Sequence, residues 1–314
     1  MVNPRPAART GPAVRFVSAT PRGLVVAAPA KLNLFLEVRG KRPDGYHDLE
    51  TLMVAVDLYD TLELAATADG RITLECDPPG LPTGPENLVY KAADALRRRA
   101  NRPDLGAAVR LVKRIPAQAG LAGGSSDAAA AIAWLNRLWG LDLPDADLAA
   151  VAADVGSDVA FFLGGPSAWC TGRGEVVTPE PSAAQFDFVV VVPPVGLATA
   201  DVYRHLTVPP QPVDGGPARA AFRAGNAAAL GRFLSNRLQP PAFGLAPAVE
   251  VVYRRLAAQA PAGCLMSGSG SAVFALARGP ADALRIAEGV RAATPAGEPP
   301  SSVLVVRSLP PDPA

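Results

Sequence analysis

The chain has 314 residues, 49% of them hydrophobic and 19% charged, which is long for one core and points to two globular domains. A formal net charge of +1 excludes an overall electrostatic pull toward nucleic acid or anionic membrane, so any anion has to be caught by local geometry. Cys76, Cys170 and Cys264 are odd in number and far apart; this excludes a disulfide framework and suits a reducing cytosol.

In chain order, residues 1–23 are rich in Pro, Arg and Ala without periodicity and are expected to be a disordered tail. The run "PRGLVVAAPA" is too short for a secretory signal and continues into strand-like "KLNLFLEV". Two long strands, "LVVAAPAKLNLFLEV" and "LMVAVDLYDTLELAA", flank a Pro-Asp-Gly turn in "GKRPDGYHDLE". "RITLEC" and "AAVRLVKRIP" read as further strands, and "NLVYKAADALRRRA" as a helix behind an Asn cap. After a glycine-rich loop, Ala128, Ala131, Ile132, Leu135 and Trp139 recur at helical spacing, with Gly140 as the stop. "DADLAAVAADVG" and "SDVAFFLGG" are short helices, and "PSAWCTGRGEVVTPEP" is a hairpin. A second half starts near Pro181: strand Phe186–Val192, helices over Ala200–Leu206, Ala218–Leu234, Ala246–Gln259 and Pro280–Ala292, a glycine turn in "GCLMSGSGSAVFALA", and a final strand "SVLVVRS". Without strict βαβ alternation this is an α+β chain, divided into 24–180 and 181–309. No segment reaches the ~18 uninterrupted apolar residues of a membrane helix, and the expected address is the cytoplasm.

The stretch "IPAQAGLAGGSSDAAAAIAWLNRLWG" poses the functional question. Glycines ahead of a helix let the first, unpaired N–H groups converge on a phosphate, where the helix dipole adds to them. Small residues also let a helix start pack closely, and the loop alone supports both readings. It is not a Walker loop, because no Lys precedes its Ser, and "GSGSAV" lacks the third glycine of a dinucleotide fingerprint. Ser125 and Ser126 are placed to cap the helix, to bond a phosphate oxygen or to approach a metal ion.

Three segments in order, "PAKLNLFLEVRGKRPDGYHDLETLM", "GLAGGSSDAA" and "SGSGSAVFAL", together with "VGSDVAFFLGG", resemble the GHMP kinase superfamily over about Ala28 to Ser308. The closest likeness is to the branch that phosphorylates the 2-hydroxyl of 4-diphosphocytidyl-2-C-methyl-D-erythritol, in the methylerythritol phosphate route to isoprenoids. The resemblance implies a two-domain α+β fold, with an S5 domain 2-like N-terminal domain, a ferredoxin-like C-terminal domain and the active site between them. It implies ATP as phosphoryl donor with Mg²⁺, whose protein ligands are not legible, and a small-molecule acceptor. Nucleic acid and membrane are not expected partners, and either a monomer or a homodimer fits.

The resemblance assigns ATP to Pro116, Ala117, Gln118, Ala119, Gly120, Leu121, Ala122, Gly123, Gly124, Ser125 and Ser126, with Gly268, Ser269 and Gly270 as the third glycine motif. It assigns catalysis to Asp158 as base and Lys31 as its cationic partner. Read without it, Asp158 is a helix cap and Lys31 an edge-strand lysine facing water. Asn33 shares Lys31's face of the strand and would bind substrate or make a structural hydrogen bond. Tyr46 and His47 would contact a cytosine, with Tyr203 completing the sandwich and Thr199 reaching the polar part of the substrate; Tyr203 also suits a helix core. The family usually has Gly where Gln118 and Ala122 stand, and Pro where Ala160 stands. We expect neither loop position to require a left-handed backbone. Two rivals stay open: a GHMP kinase acting on mevalonate or homoserine, and a non-catalytic homologue. The Gly-Tyr-His turn argues against the first, and the retained Lys31 and Asp158 against the second.

Overall fold

The structure is a computed structural model that describes residues 13–310 except Arg22, Glu298 and Pro300. It begins with β1 (Arg15–Thr20), β2 (Gly23–Lys41), β3 (His47–Thr67), β4 (Ile72–Asp77), α1 (Leu88–Arg99), β5 (Gly106–Val112) and α2 (Gly123–Leu138). Next come α3 (Asp145–Val155), α4 (Val159–Gly164), β6 (Ser167–Gly172), β7 (Val176–Pro179) and β8 (Asp187–Val192). The remainder is α5 (Thr199–Arg204), α6 (Gly216–Arg223), α7 (Ala227–Gly231), β9 (Ser235–Asn236), α8 (Gln239–Leu245), α9 (Pro247–Ala257), β10 (Gly263–Met266), β11 (Val273–Leu276), α10 (Pro280–Ala292) and β12 (Ser302–Arg307).

Two expectations are corrected. Residues 15–20 of the expected tail form β1, antiparallel to the start of β2, because Ala13 and Val14 just ahead of it are buried and anchor it; residues 1–12 lie outside the described residues. The single helix over 218–234 is two, because Gly225 takes φ +65 and Asn226 opens α7 by accepting the N–H of Ala229.

The first sheet runs β1-β2-β3-β5-β4, with β6 and then β7 continuing from β3 and β9 pairing with β2. The second is β10-β11-β8-β12, antiparallel throughout. Alternation along the strands divides their side chains among three cores. On β3, Met53 and Ala55 face the helices α1, α2, α3 and α4, while Leu52, Val54 and Val56 face the other way. On β8, Phe188 and Val190 join that same second core, and Val189 and Val191 face α9 and α10. The middle core thus cements the two sheets together, and the second sheet is buried on both faces. An ionic tie also holds the later part of the chain to the first sheet: Arg237, next to β9, forks onto buried Glu37 of β2 at 2.7 and 2.8 Å. Among the described residues no helix is long and apolar enough to cross a membrane.

Candidate active site

A cleft of about 1190 Å³ opens between the halves. Its floor is β2. Lys31 is buried there and its strand pairs with β3, so it is not an edge lysine facing water. Its ammonium donates to Asn33 Oδ1 at 2.5 Å and to the carbonyl of Gly120 at 2.9 Å, and it stands 3.7 Å from Asp158 Oδ2. Asn33 is held in turn: its Nδ2 donates to Thr51 Oγ1 at 2.8 Å, and that hydroxyl donates to the carbonyl of Phe35. The chain Phe35–Thr51–Asn33–Lys31 fixes which amide atom faces the ammonium. Burial lowers the Lys31 pKa, and Asp158 opposes that shift without cancelling it.

Asp158 sits at the cap position of α4, yet its side chain caps nothing. It remains about one-third exposed, turned toward Lys31 and the cleft. Behind the pair lies buried Cys170, whose thiol is pushed up by burial and by Asp158 and stays neutral.

The glycine loop forms one wall. Its helix begins at Gly123 with no side-chain cap. The N–H groups of Gly123, Gly124 and Ser125 have no acceptor among the described residues and line the cleft, as a phosphate-binding helix start requires. The loop is docked on the third glycine motif, with Ala272 N donating to Ala119 O at 3.0 Å and Ser267 Oγ to Gly120 O at 3.0 Å. A Cβ on Gly120 would lie 2.1 Å from Ser267 O, so this contact demands glycine.

Of the eleven expected loop residues, nine line the cleft. Leu121 and Ser126 do not: both are buried, Leu121 in the middle core and Ser126 with its N–H bonded to Ala122 O inside the first helical turn. The backbone expectation is also overturned. Gln118 and Ala122 both take φ +53, so each holds a left-handed conformation that costs an L-residue roughly 1–2 kcal/mol. The docking on both sides of the loop holds them there. Ala160 lies buried at the start of α4.

The opposite end of the cleft carries Tyr46, His47 and Tyr203, with Thr199, Gly268, Ser269 and Gly270 nearby. The β2–β3 turn is shaped by Asp44, whose carboxylate accepts the Tyr46 N–H at 3.1 Å, and by Gly45 at φ +86. Tyr46 is 54% exposed, and the Arg173 guanidinium lies 4.8 Å from its ring centroid. His47 and Tyr203 stack on each other, with centroids 5.1 Å apart. That spacing leaves no room for a base between those two, so a sandwich would have to use Tyr46 against the Tyr203–His47 pair. Burial and Lys41 lower the His47 pKa, and burial and Asp158 raise that of Tyr203, so both rings are neutral near pH 7. Thr199 Oγ1 lies 2.8 Å from Ser269 Oγ, which joins α5 to the third glycine motif.

Sequence reasoning missed Thr51, Arg173 and the Asp60–Lys113–Asp127 cluster. Thr51 and Asp60 lie in strands where their types give no signal. Arg173 follows a turn glycine and reads as a solvated hairpin tip.

Residues 87–166 match the family described as GHMP kinases N terminal domain, and residues 218–296 match GHMP kinases C terminal. A 4-diphosphocytidyl-2-C-methyl-D-erythritol kinase of Pelotomaculum thermopropionicum is 42% identical over 255 residues, covering 81% of this chain and 88% of that relative. A crystal structure of a 4-(cytidine 5'-diphospho)-2C-methyl-D-erythritol kinase matches with a TM-score of 0.73 at 37% identity, over 90% of this chain and 98% of that one. A homoserine kinase from Cytophaga hutchinsonii also reaches 0.73, at 21% identity over 95% and 98% of the two chains, so the fold by itself does not separate acceptors. Both halves match in order and the sequence likeness spans most of the chain: the protein belongs to the GHMP kinases, in the family of the 4-diphosphocytidyl-2-C-methyl-D-erythritol kinases.

Proposed function

We propose that the enzyme transfers the γ-phosphoryl group of ATP to the 2-hydroxyl of 4-diphosphocytidyl-2-C-methyl-D-erythritol, with Asp158 accepting the hydroxyl proton. The observation that carries this is the junction at Lys31. One buried ammonium touches the carbonyl of the glycine loop and stands beside the free carboxylate of Asp158. Phosphate cradle and proton acceptor therefore meet at one fixed positive charge, which phosphoryl transfer requires. Lys31 places its positive charge 3.7 Å from Asp158 and stabilises the charge that develops on the acceptor oxygen as it attacks.

The donor phosphates lie against the N–H groups of Gly123, Gly124 and Ser125. The purine lies on the α1 side of the loop, where Leu81, Pro82, Leu88 and Leu111 line the cleft. Mg²⁺ neutralises charge on the transferred group when bound. Among the described residues no group of three or more His, Cys, Asp or Glu could hold a metal. This fits an ion carried in on the nucleotide with its waters, with Ser125 and Asp158 the side chains lining that part of the cleft. At the other end, the cytosine lies between Tyr46 and the stacked Tyr203–His47 pair, and Thr199 reaches the polar part of the acceptor.

A coupled ADP-release assay tests the reading with ATP, Mg²⁺ and three acceptors at equal concentration: the cytidine diphosphate conjugate, mevalonate and homoserine. Turnover of the conjugate alone is expected. A better rate with either small alcohol would overturn the base-recognition reading.

A further inference from the structure

We infer that Asp60, Lys113 and Asp127 form a buried ionic clasp closing the base of the glycine loop, and that Asp127 is thereby a positioning residue for the donor nucleotide. The inference rests on the reading above, that this loop holds the donor phosphates.

Asp60 on β3 is fully buried. One of its oxygens accepts the successive backbone N–H groups of Arg114 at 2.5 Å and Ile115 at 2.9 Å, and the other accepts the Lys113 ammonium. Lys113 also donates to Asp127 Oδ2 at 2.7 Å. Residues 113–115 lead directly into the loop, and Asp127 follows it just after the first turn of α2. Both ends of the stretch 116–126 are therefore tied to a single ammonium. The fit is close on the inside: a Cβ on Gly123 would stand 3.1 Å from Lys113 Nζ and 3.0 Å from Ile115 Cβ. The first residue of the phosphate-facing helix thus rests directly on the clasp. The far side of the loop is held separately by the third glycine motif, so the clasp governs the helix side.

Stability alone is a poor reason for such a cluster. Two carboxylates and an ammonium lose hydration on burial, and well-packed apolar residues of similar volume are often as stabilising. What the charges provide is direction, because each bond fixes one loop end relative to β3. Burial works against both charges: it opposes the Lys113 ammonium, whose two acidic partners outweigh it and raise its pKa, and together with Asp60 it pushes the Asp127 carboxyl up against the pull of Lys113. Lys113 and Asp127 both line the cleft, but only Asp127 has an isosteric variant, Asn, that removes the carboxylate and keeps an acceptor for Lys113, so it can separate positioning from direct contact.

The test therefore uses Asp127→Ala, with Asp127→Asn as the conservative variant whose amide oxygen can still accept from Lys113. In the wild type, ATP with Mg²⁺ should slow amide exchange in residues 116–126. In Asp127→Ala that stretch should exchange faster in the free protein while α9, α10 and the second sheet keep their protection. The KM for ATP should rise about ten- to a hundredfold, the scale of remote misplacement, and the KM for the acceptor should stay within about twofold, as expected when uniform binding is lost at one substrate alone. Asp127→Asn should recover most of the loss. If the wild-type loop gains no protection from nucleotide, the donor reading fails and the proposal with it. If the wild-type loop is protected but folded Asp127→Ala keeps its ATP KM, or both KM values move together, the proposal alone is overturned.

Discussion

The wall of the cleft proposed for the donor is made of backbone, and the end proposed for the acceptor is made of side chains. At the donor wall, three N–H groups at the start of α2 face the cleft, and the loop that presents them is docked at Ala119 and Gly120 and tied at its base by Asp60 and Lys113. At the acceptor end Tyr46 is more than half exposed, and His47 and Tyr203 hold each other by stacking. A phosphate is alike in every nucleotide and can be met by a fixed cradle. A base edge differs between nucleotides and needs particular side chains. The difference teaches where specificity can change: substitutions at the acceptor end retune it, whereas substitutions at the donor wall damage the loop.

The seam between the two regions is where the comparison breaks most sharply. Asp158→Asn is expected to lower kcat by ~10²–10⁴-fold, the range for loss of a general base, with both KM values nearly unchanged and only a modest fall in melting temperature, because this carboxylate caps no helix but does pair with buried Lys31. Near-normal turnover of the folded variant would remove Asp158 from the chemistry. Lys31→Met should also cost activity heavily, but with some stability, since Asn33 Oδ1 and Gly120 O each lose a donor.

A smaller effect separates the regions directly. Tyr203→Ala removes the ring on which His47 stacks, and base–aromatic stacking is worth ~1–3 kcal/mol, so acceptor binding should weaken by about tenfold or more. The KM for ATP should not follow it. Parallel shifts of both constants would mean that Tyr203 supports the fold and not the base.

The pH dependence sharpens the account of Lys31. Its folded pKa lies below the ordinary value of 10.5, so activity that needs the ammonium should fall along an alkaline limb beginning below that value. Stability runs the other way. Between the lowered folded pKa and 10.5 the unfolded chain holds the proton that the folded chain has lost, so this group's contribution to stability rises with pH across that window. Asp158→Asn removes the partner that raises the pKa and should move the limb of the residual activity to lower pH. A limb that stays in place would show that another group titrates there.

The smallest effect belongs to the loop backbone. Ala122→Gly relieves a left-handed strain of roughly 1–2 kcal/mol while costing ~0.4–1 kcal/mol in chain entropy, so a net gain of up to about 1.6 kcal/mol is expected by thermal unfolding. Gln118→Gly should behave alike. Destabilisation by more than that at either position would mean that the side chain makes a contact worth more than the strain.

What the sequence by itself determined is whatever rests on neighbours along the chain. The Asn87 cap of α1, the Pro-Asp-Gly turn and the small residues of the loop depend on a few adjacent residues, and so do the alternating strands that divide Met53 from Val54. Each reads correctly because its physics is local. The order of three motifs along the chain pointed to the family and, through it, to Lys31 and Asp158. Only the tertiary structure decided that these two stand 3.7 Å apart, that Ser126 faces the core and not the cleft, and that Gln118 is held left-handed against a family pattern of glycine. Asp60 looks like any strand residue, and its role appears only when residues 113–115 fold against it. Burial is the reason: whether a polar group is a solvated side chain or a buried partner depends on packing between elements far apart in the chain, and no short stretch of sequence contains both surfaces.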